Sequence, residues 1–140
     1  MTEIKKDRYN RNLGTVSAEE QQLLKIKSVC VAGCGGLGGT VIENLTRIGT
    51  GNITAIDGDV FEESNLNRQV LSNEEDLGKP KAEEAAEQMR LINSEVTVRP
   101  VAEFIREDNA RQLVAGHDVV VDALDNISSR KILEAACEAE

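Results

Sequence analysis

The tightest constraint on this chain is a seven-residue glycine cluster, Gly33-Cys-Gly-Gly-Leu-Gly-Gly39. It directly follows Ser28-Val-Cys-Val-Ala32, a short β-branched apolar run that reads as a buried strand. A helical pattern opens inside the cluster, with Leu37, Val41, Leu45 and Ile48 on one face, and Gly49 and Gly51 end it. Gly33-x-Gly35-x-x-Gly38 therefore joins a strand to a helix. Glycine there permits a tight turn and lets backbone N–H groups approach a phosphate, beside the positive end of the helix dipole. Asp57 lies 19 residues after Gly38, at the end of a second strand, Asn52–Asp57. A carboxylate at that place grips ribose hydroxyls. Loop and acid together predict an adenine nucleotide. No Gly-Lys-Ser/Thr follows, so this is not a Walker-type loop. The loop alone does not separate ATP from a dinucleotide.

The remaining pattern fixes the fold class. Ser17-Ala-Glu-Glu20 is a capping box that starts a short helix from Ala18 to Lys25. Gly58 to Gly78 is polar and too long for a structureless loop. Pro80 opens a helix whose inner face holds Ala82, Ala85, Ala86, Met89 and Ile92. Val96, Val98 and Val101 mark a third strand, and Asp108 is placed to cap a short helix through Leu113 and Val114. Asp118–Asp122 is a fourth strand, followed by a last helix starting at Asn126 or Ser128. Such alternation predicts an α/β, Rossmann-like, doubly wound and mainly parallel sheet with helices on both faces. The 140 residues suffice for one domain. It divides into a helical arm, 1–27, and a nucleotide-binding domain, 28–140.

Composition removes several function classes. The net charge of −9 disfavours nucleic acid or an anionic membrane as a general partner. Tyr9, Phe61 and Phe104 are the only aromatic residues, too few for a single-strand binder built on stacking. An adenine ring is accordingly expected between aliphatic side chains. The chain shows no apolar run near 18 residues and no signal-peptide core, and a cytoplasmic location is expected. Cys30, Cys34 and Cys137 form no C-x-x-C pair, so no four-cysteine zinc site is expected. Cys34 reads as a small filler in the glycine loop, Cys30 as core, and His117 as an ordinary surface turn residue.

In a doubly wound sheet, ligands sit outside the carboxyl ends of the strands. Four polar features fall there: Asp57-Gly-Asp59, Ser64-Asn-Leu-Asn-Arg-Gln69, Gly78-Lys-Pro-Lys81 and Leu124-Asp-Asn126. Arg68 and Lys81 suit a triphosphate, as cations that neutralise charge at the reacting phosphorus. Asp125 suits Mg²⁺ that keeps waters and bridges phosphate oxygens. Structural roles compete: Asn65 and Asn67 in loop turns, Lys81 as an exposed first-turn lysine, Asp125 as a helix cap.

The set Arg8-Tyr-Asn-Arg11, Gly33-x-Gly-Gly-Leu-Gly38, Asp57-x-Asp59, Ser64-Asn-Leu-x-Arg-Gln69, Gly78-x-Pro-Lys81 and Asp125-Asn126 resembles the ThiF/MoeB/HesA family, bacterial relatives of ubiquitin-activating enzymes. The resemblance spans about residues 8 to 130. It implies ATP-dependent adenylation of the C-terminal carboxylate of a ubiquitin-like sulfur-carrier protein, releasing pyrophosphate. It implies that Gly36 and its neighbours hold the phosphates, Asp57 binds the ribose, Arg68 and Lys81 neutralise the phosphates, and Asp125 holds Mg²⁺. By the same resemblance, Asn65 and Gln69 would help fix loop and nucleotide, and Asp59 would organise the same pocket. The resemblance also implies a homodimer in which Arg11 reaches into the partner subunit's active site. Family members continue well past this chain's end, so the chain is expected to be a nucleotide-binding half or a shortened paralogue. Two other readings stand beside this one: an NAD-dependent oxidoreductase domain, resting on the glycine loop and Asp57, and a non-catalytic nucleotide-binding module.

Overall fold

The structure, a computed structural model, describes residues 8–140; the first seven residues of the expected arm lie outside the described residues. Helix α1 (Ala18–Leu24) starts where the sequence predicts, with Ser17 Oγ accepting the Glu20 N–H at 3.1 Å. Then follow β1 (Ser28–Ala32), α2 (Gly36–Ile48), β2 (Asn52–Ile56), α3 (Lys81–Ile92), β3 (Thr97–Val101), α4 (Ala110–Val114), β4 (Val119–Asp122) and α5 (Ile127–Ala139). The four strands form one parallel sheet in the order β3-β2-β1-β4. The chain winds outward from β1 to β3, then returns to place β4 on the other side of β1. The β1–β4 seam is thus the switch point at which such sheets take ligands.

Strand alternation divides the core between two faces. Val29, Val31, Ile53 and Ala55 pack with Ile42 of α2 and Ala82, Ala85 and Met89 of α3. Cys30, Ala32 and Ile56 pack on the other face with Leu113 of α4 and with Leu133 and Ala136 of α5. This is the expected doubly wound arrangement. The polar segment between β2 and α3 holds two 3₁₀ turns, Glu63–Asn65 and Glu74–Asp76, anchored by the buried Phe61 and Leu71.

Three expectations are corrected. The buried stripe of α2 is Gly38, Gly39, Ile42 and Thr46, while Leu37 is exposed. Glycines let that helix lie so close to β1 that larger apolar side chains shift to the flank. Asp108 does not cap α4; its carboxylate accepts from Arg106 Nε at 2.9 Å, and Asn109 precedes the helix. His117 is not a surface turn residue. It is half-buried, with Nδ1 at 3.0 Å from the Val114 carbonyl and Nε2 at 2.8 Å from Thr54 Oγ1, so it ties the turn before β4 to β2.

The described part of the arm docks at the amino-terminal end of the sheet. Tyr9 is buried against Gly49, whose φ of +96° ends α2. Asn93 Nδ2 donates to Tyr9 Oη at 2.8 Å and to the Thr46 carbonyl at 2.9 Å, while its Oδ1 accepts from Arg8. Asn12 Nδ2 donates to Gln21 Oε1 at 3.0 Å, and Gln21 Nε2 donates to the Ile48 carbonyl at 2.7 Å. The segment around Arg11 is therefore held at the end of α2 opposite Gly36. No helix among the described residues is long and apolar enough to cross a membrane.

Candidate functional site

The carboxyl ends of the strands enclose a cavity of about 350 Å³. Its wall includes Gly33, Gly35 and Gly36 from the turn after β1, Asp57 and Asp59 after β2, Arg68 and Gln69 from the polar segment, Lys81 at the start of α3, and Asp125 after β4. The fold thus brings together nine of the residues marked on the sequence.

The glycines divide by role. A Cβ on Gly38 would stand 1.7 Å from the Gly33 carbonyl oxygen, and Gly38 does not line the cavity. Gly33 has a φ of +103°, and a Cβ there would meet the Ala123 carbonyl at 2.5 Å. Gly38 is demanded by the close packing of α2 on the turn after β1, and Gly33 by its left-handed backbone and the close approach of the turn after β4. Gly36 is different: a Cβ on it would meet nothing within 4 Å, and it opens α2 onto the cavity. Space at the positive end of a 13-residue helix accommodates an anion.

Asp57 holds the floor of the site. Its Oδ2 accepts the Cys34 N–H and its Oδ1 the Asp59 N–H, each at 2.8 Å. Asp59 in turn offers its carbonyl to the Lys81 N–H at 3.0 Å, fixing the start of α3. Lys81 is 7% exposed, so it is not the exposed first-turn lysine that competed with a functional role. Its ammonium lies 5.7 Å from the centre of the Phe61 ring. Arg68 is exposed and donates to the Ser64 carbonyl and Asn67 Oδ1 at 3.1 and 3.0 Å. Neither cation has a carboxylate within ion-pair distance among the described residues. An anion in the cavity would supply both with a counter-charge.

Asp125 is exposed on the cavity wall, and its carboxylate has no hydrogen-bond partner among the described residues. It does not cap α5: Asn126 Oδ1 accepts the Ser129 N–H at 2.8 Å and does so instead. Among the described residues, no group of three or more His, Cys, Asp or Glu side chains is arranged to hold a metal. Asn65 is buried and does not line the cavity; its Oδ1 accepts the Glu62 N–H at 2.8 Å, and its carbonyl accepts the Gln69 N–H at 3.0 Å. It builds the polar segment. Gln69 is 6% exposed, packs against Gly35, and its Oε1 has no hydrogen-bond partner among the described residues. Arg11 is exposed in the 3₁₀ turn Asn10–Asn12, away from the cavity.

Burial pushes the Cys34 thiol far up, and Asp57 adds to the effect; burial also pushes Cys30 up to about 12. Neither is a ready nucleophile. The sequence reading missed one wall of the cavity, Glu103, Phe104 and Ile105 after β3. An aromatic residue in a polar loop at a strand's carboxyl end was the available signal.

Comparison with known proteins gives concordant matches. The ThiF family model matches residues 9–140. A SAMP-activating enzyme E1 of Haloferax volcanii is 43% identical over 136 residues, covering 96% of this chain and 50% of the relative. A molybdopterin-synthase adenylyltransferase of Salmonella typhimurium is 39% identical over 132 residues, covering 93% and 53%. The crystal structure of E. coli tRNA N6-threonylcarbamoyladenosine dehydratase in complex with ATP superposes with a TM-score of 0.90 at 35% identity, covering 95% of this chain and 55% of that one. The chain spans about half the length of the curated relatives it matches.

Proposed function

The chain belongs to the ThiF family, and from that premise we propose that it binds ATP for adenylation of the C-terminal carboxylate of a ubiquitin-like sulfur-carrier protein. The carboxylate attacks the α-phosphorus, an acyl-adenylate forms, and pyrophosphate leaves. One observation carries this reading: two cations with no carboxylate within ion-pair distance among the described residues, Arg68 and Lys81, flank a helix N-terminus that opens onto empty space at Gly36. A triphosphate is the ligand that answers all three.

The reaction needs placement and charge stabilisation rather than a protein nucleophile. Gly35 and Gly36 present backbone N–H groups to the phosphates. Lys81 and Arg68 offset the charge that builds on them. Asp57 retains lone pairs for ribose hydroxyls while it holds the glycine turn. Mg²⁺, when bound, would neutralise phosphate oxygens, and Asp125 is the carboxylate free to hold it. One carboxylate plus phosphates and waters is an ordinary magnesium environment. Arg11 lies beyond its own cavity by the length of α2, about 20 Å for 13 residues. We read it as acting in the cavity of a second copy, in a homodimer, in the cytoplasm.

The test is ATP–pyrophosphate exchange by the full chain, with and without a carrier protein ending in a free carboxylate tail. Exchange stimulated by the tail, and abolished by Arg68→Glu or Lys81→Glu, supports the reading. NAD(H) binding more tightly than Mg·ATP would overturn it. ATP binding without exchange would leave a nucleotide-binding module and refute the catalytic part.

A further inference from the structure

Phe104 is one of only three aromatic residues in the chain, yet it is 57% exposed on the cavity wall. Its ring lies against Gly58; a Cβ on Gly58 would stand 2.4 Å from the ring. Gly58 sits between Asp57 and Asp59, the two acids on this side of the cavity. The backbone that carries the ring is held as well. Asn109 Nδ2 donates to the Phe104 carbonyl at 2.9 Å, Asn109 Oδ1 accepts the Arg106 N–H at 2.8 Å, and Ile105 is buried in the core. A flat apolar surface is thereby fixed in place and left uncovered on one side.

Sheet order says what would cover it. The glycine turn follows β1, Asp57 follows β2, and Phe104 follows β3, which is the next strand outward. The Asp57 N–H donates to the Val101 carbonyl at 3.1 Å, so the ends of β2 and β3 are tied together. A nucleotide with phosphates at Gly36 and ribose at Asp57 has its base over the end of β3. On the other side of β1, Ala123, Leu124 and Asp125 flank the phosphate end.

We propose that Phe104 is the stacking platform for the nucleobase. This rests on the ATP reading above and departs from the expectation that the adenine lies between aliphatic side chains. Gly58 serves the platform by leaving room for the ring, and a planar base gains from the π-face that an aliphatic wall lacks.

The chain has no tryptophan, so Phe104→Trp places a single indole at the platform. Its emission should be quenched by ATP and unchanged by inorganic tripolyphosphate, which has no base. Phe104→Ala should weaken ATP binding about 5- to 100-fold and leave tripolyphosphate binding unchanged. Unaltered ATP affinity in Phe104→Ala, or indole emission indifferent to ATP, would overturn the platform while leaving the ATP reading intact. Equal loss of ATP and tripolyphosphate would also overturn it, since the ring would then support the fold alone. Failure of the unsubstituted protein to bind ATP at all would overturn the ATP reading and the platform with it.

Discussion

The carboxylate of Asp57 accepts the backbone N–H of Cys34 at 2.8 Å. Its second oxygen accepts the N–H of Asp59. One side chain at the end of β2 thus fixes the turn after β1 as well as its own. Asp57→Asn keeps one acceptor and turns an NH₂ toward a backbone N–H. An unpaired buried donor costs about 1–3 kcal/mol. We expect a lower melting temperature and at least about a tenfold loss of ATP affinity. Calorimetric melting and titration measure both, and unchanged melting would show that the tie carries no weight.

Lys81 should trade stability for binding. Its side chain is buried, and its ammonium has no carboxylate within ion-pair distance among the described residues to contribute to the fold. Lys81→Met keeps the apolar stem and its contact with Phe61. The variant should melt at the same temperature or higher while ATP binding is lost. A variant that both melts lower and binds ATP normally would mean that the ammonium serves the fold.

The thiols should report burial. Cys30 and Cys34 are fully buried, with burial raising both, whereas Cys137 is exposed on α5. A thiol reagent at pH 8 should modify one cysteine in the native protein and three in denaturant. Because Cys30 is raised from 9.0 to about 12 in the fold, its contribution to stability is complete below pH 9 and is lost as pH rises toward 12. Chemical denaturation between pH 8 and 11 should show stability nearly level up to pH 9 and falling above it, approaching about 1.4 kcal/mol per pH unit for that thiol, with the raised Cys34 adding a fall of the same sign. Cys30→Ala should make this limb shallower and leave the part due to Cys34, and an equally steep limb in the variant would assign it to other groups.

The same contrast between local pattern and tertiary packing decides what was legible in the sequence. Strand–glycine–helix and the acid after β2 are local patterns, so the sheet, its helices and the floor of the site could be read directly. The alternative roles of Lys81 and Asp125 could not be resolved there. Burial of Lys81 depends on the segment from Gly58 to Gly78 folding beside Phe61, and Asp125 is freed because its neighbour Asn126 caps α5. Apolar periodicity placed Leu37 inside α2 because it weighs large side chains; it is blind to Gly38 bringing two backbones together. Phe104 was missed because its meaning comes from contact with Gly58, 46 positions away.

Asn93 offers a control at the opposite end of the sheet. It bonds Tyr9, Arg8 and the Thr46 carbonyl, and its Oδ1 also accepts the Glu95 N–H at 3.1 Å. Asn93→Ala strands several buried partners at once, so we expect a loss of about 2–4 kcal/mol. ATP affinity of the folded fraction should be unchanged. A parallel loss of affinity would show that the arm's docking is coupled to the cavity.

Gly36 and Gly38 separate ligand space from packing space within one turn of helix. Alanine at Gly38 would press its Cβ to 1.7 Å from the Gly33 carbonyl, a backbone clash that only movement of α2 away from β1 can relieve. Gly38→Ala should therefore not fold stably. Alanine at Gly36 meets no protein atom within 4 Å and sits at the first position of a helix, where it is favoured over glycine by up to about 1 kcal/mol. Gly36→Ala should fold with equal or higher stability. Its methyl group then occupies the space that a phosphate needs beside the helix N–H groups, and ATP affinity should fall about tenfold or more. Retained affinity in Gly36→Ala would mean that the phosphates bind elsewhere on the cavity wall, with Arg68 and Lys81 acting without the helix terminus.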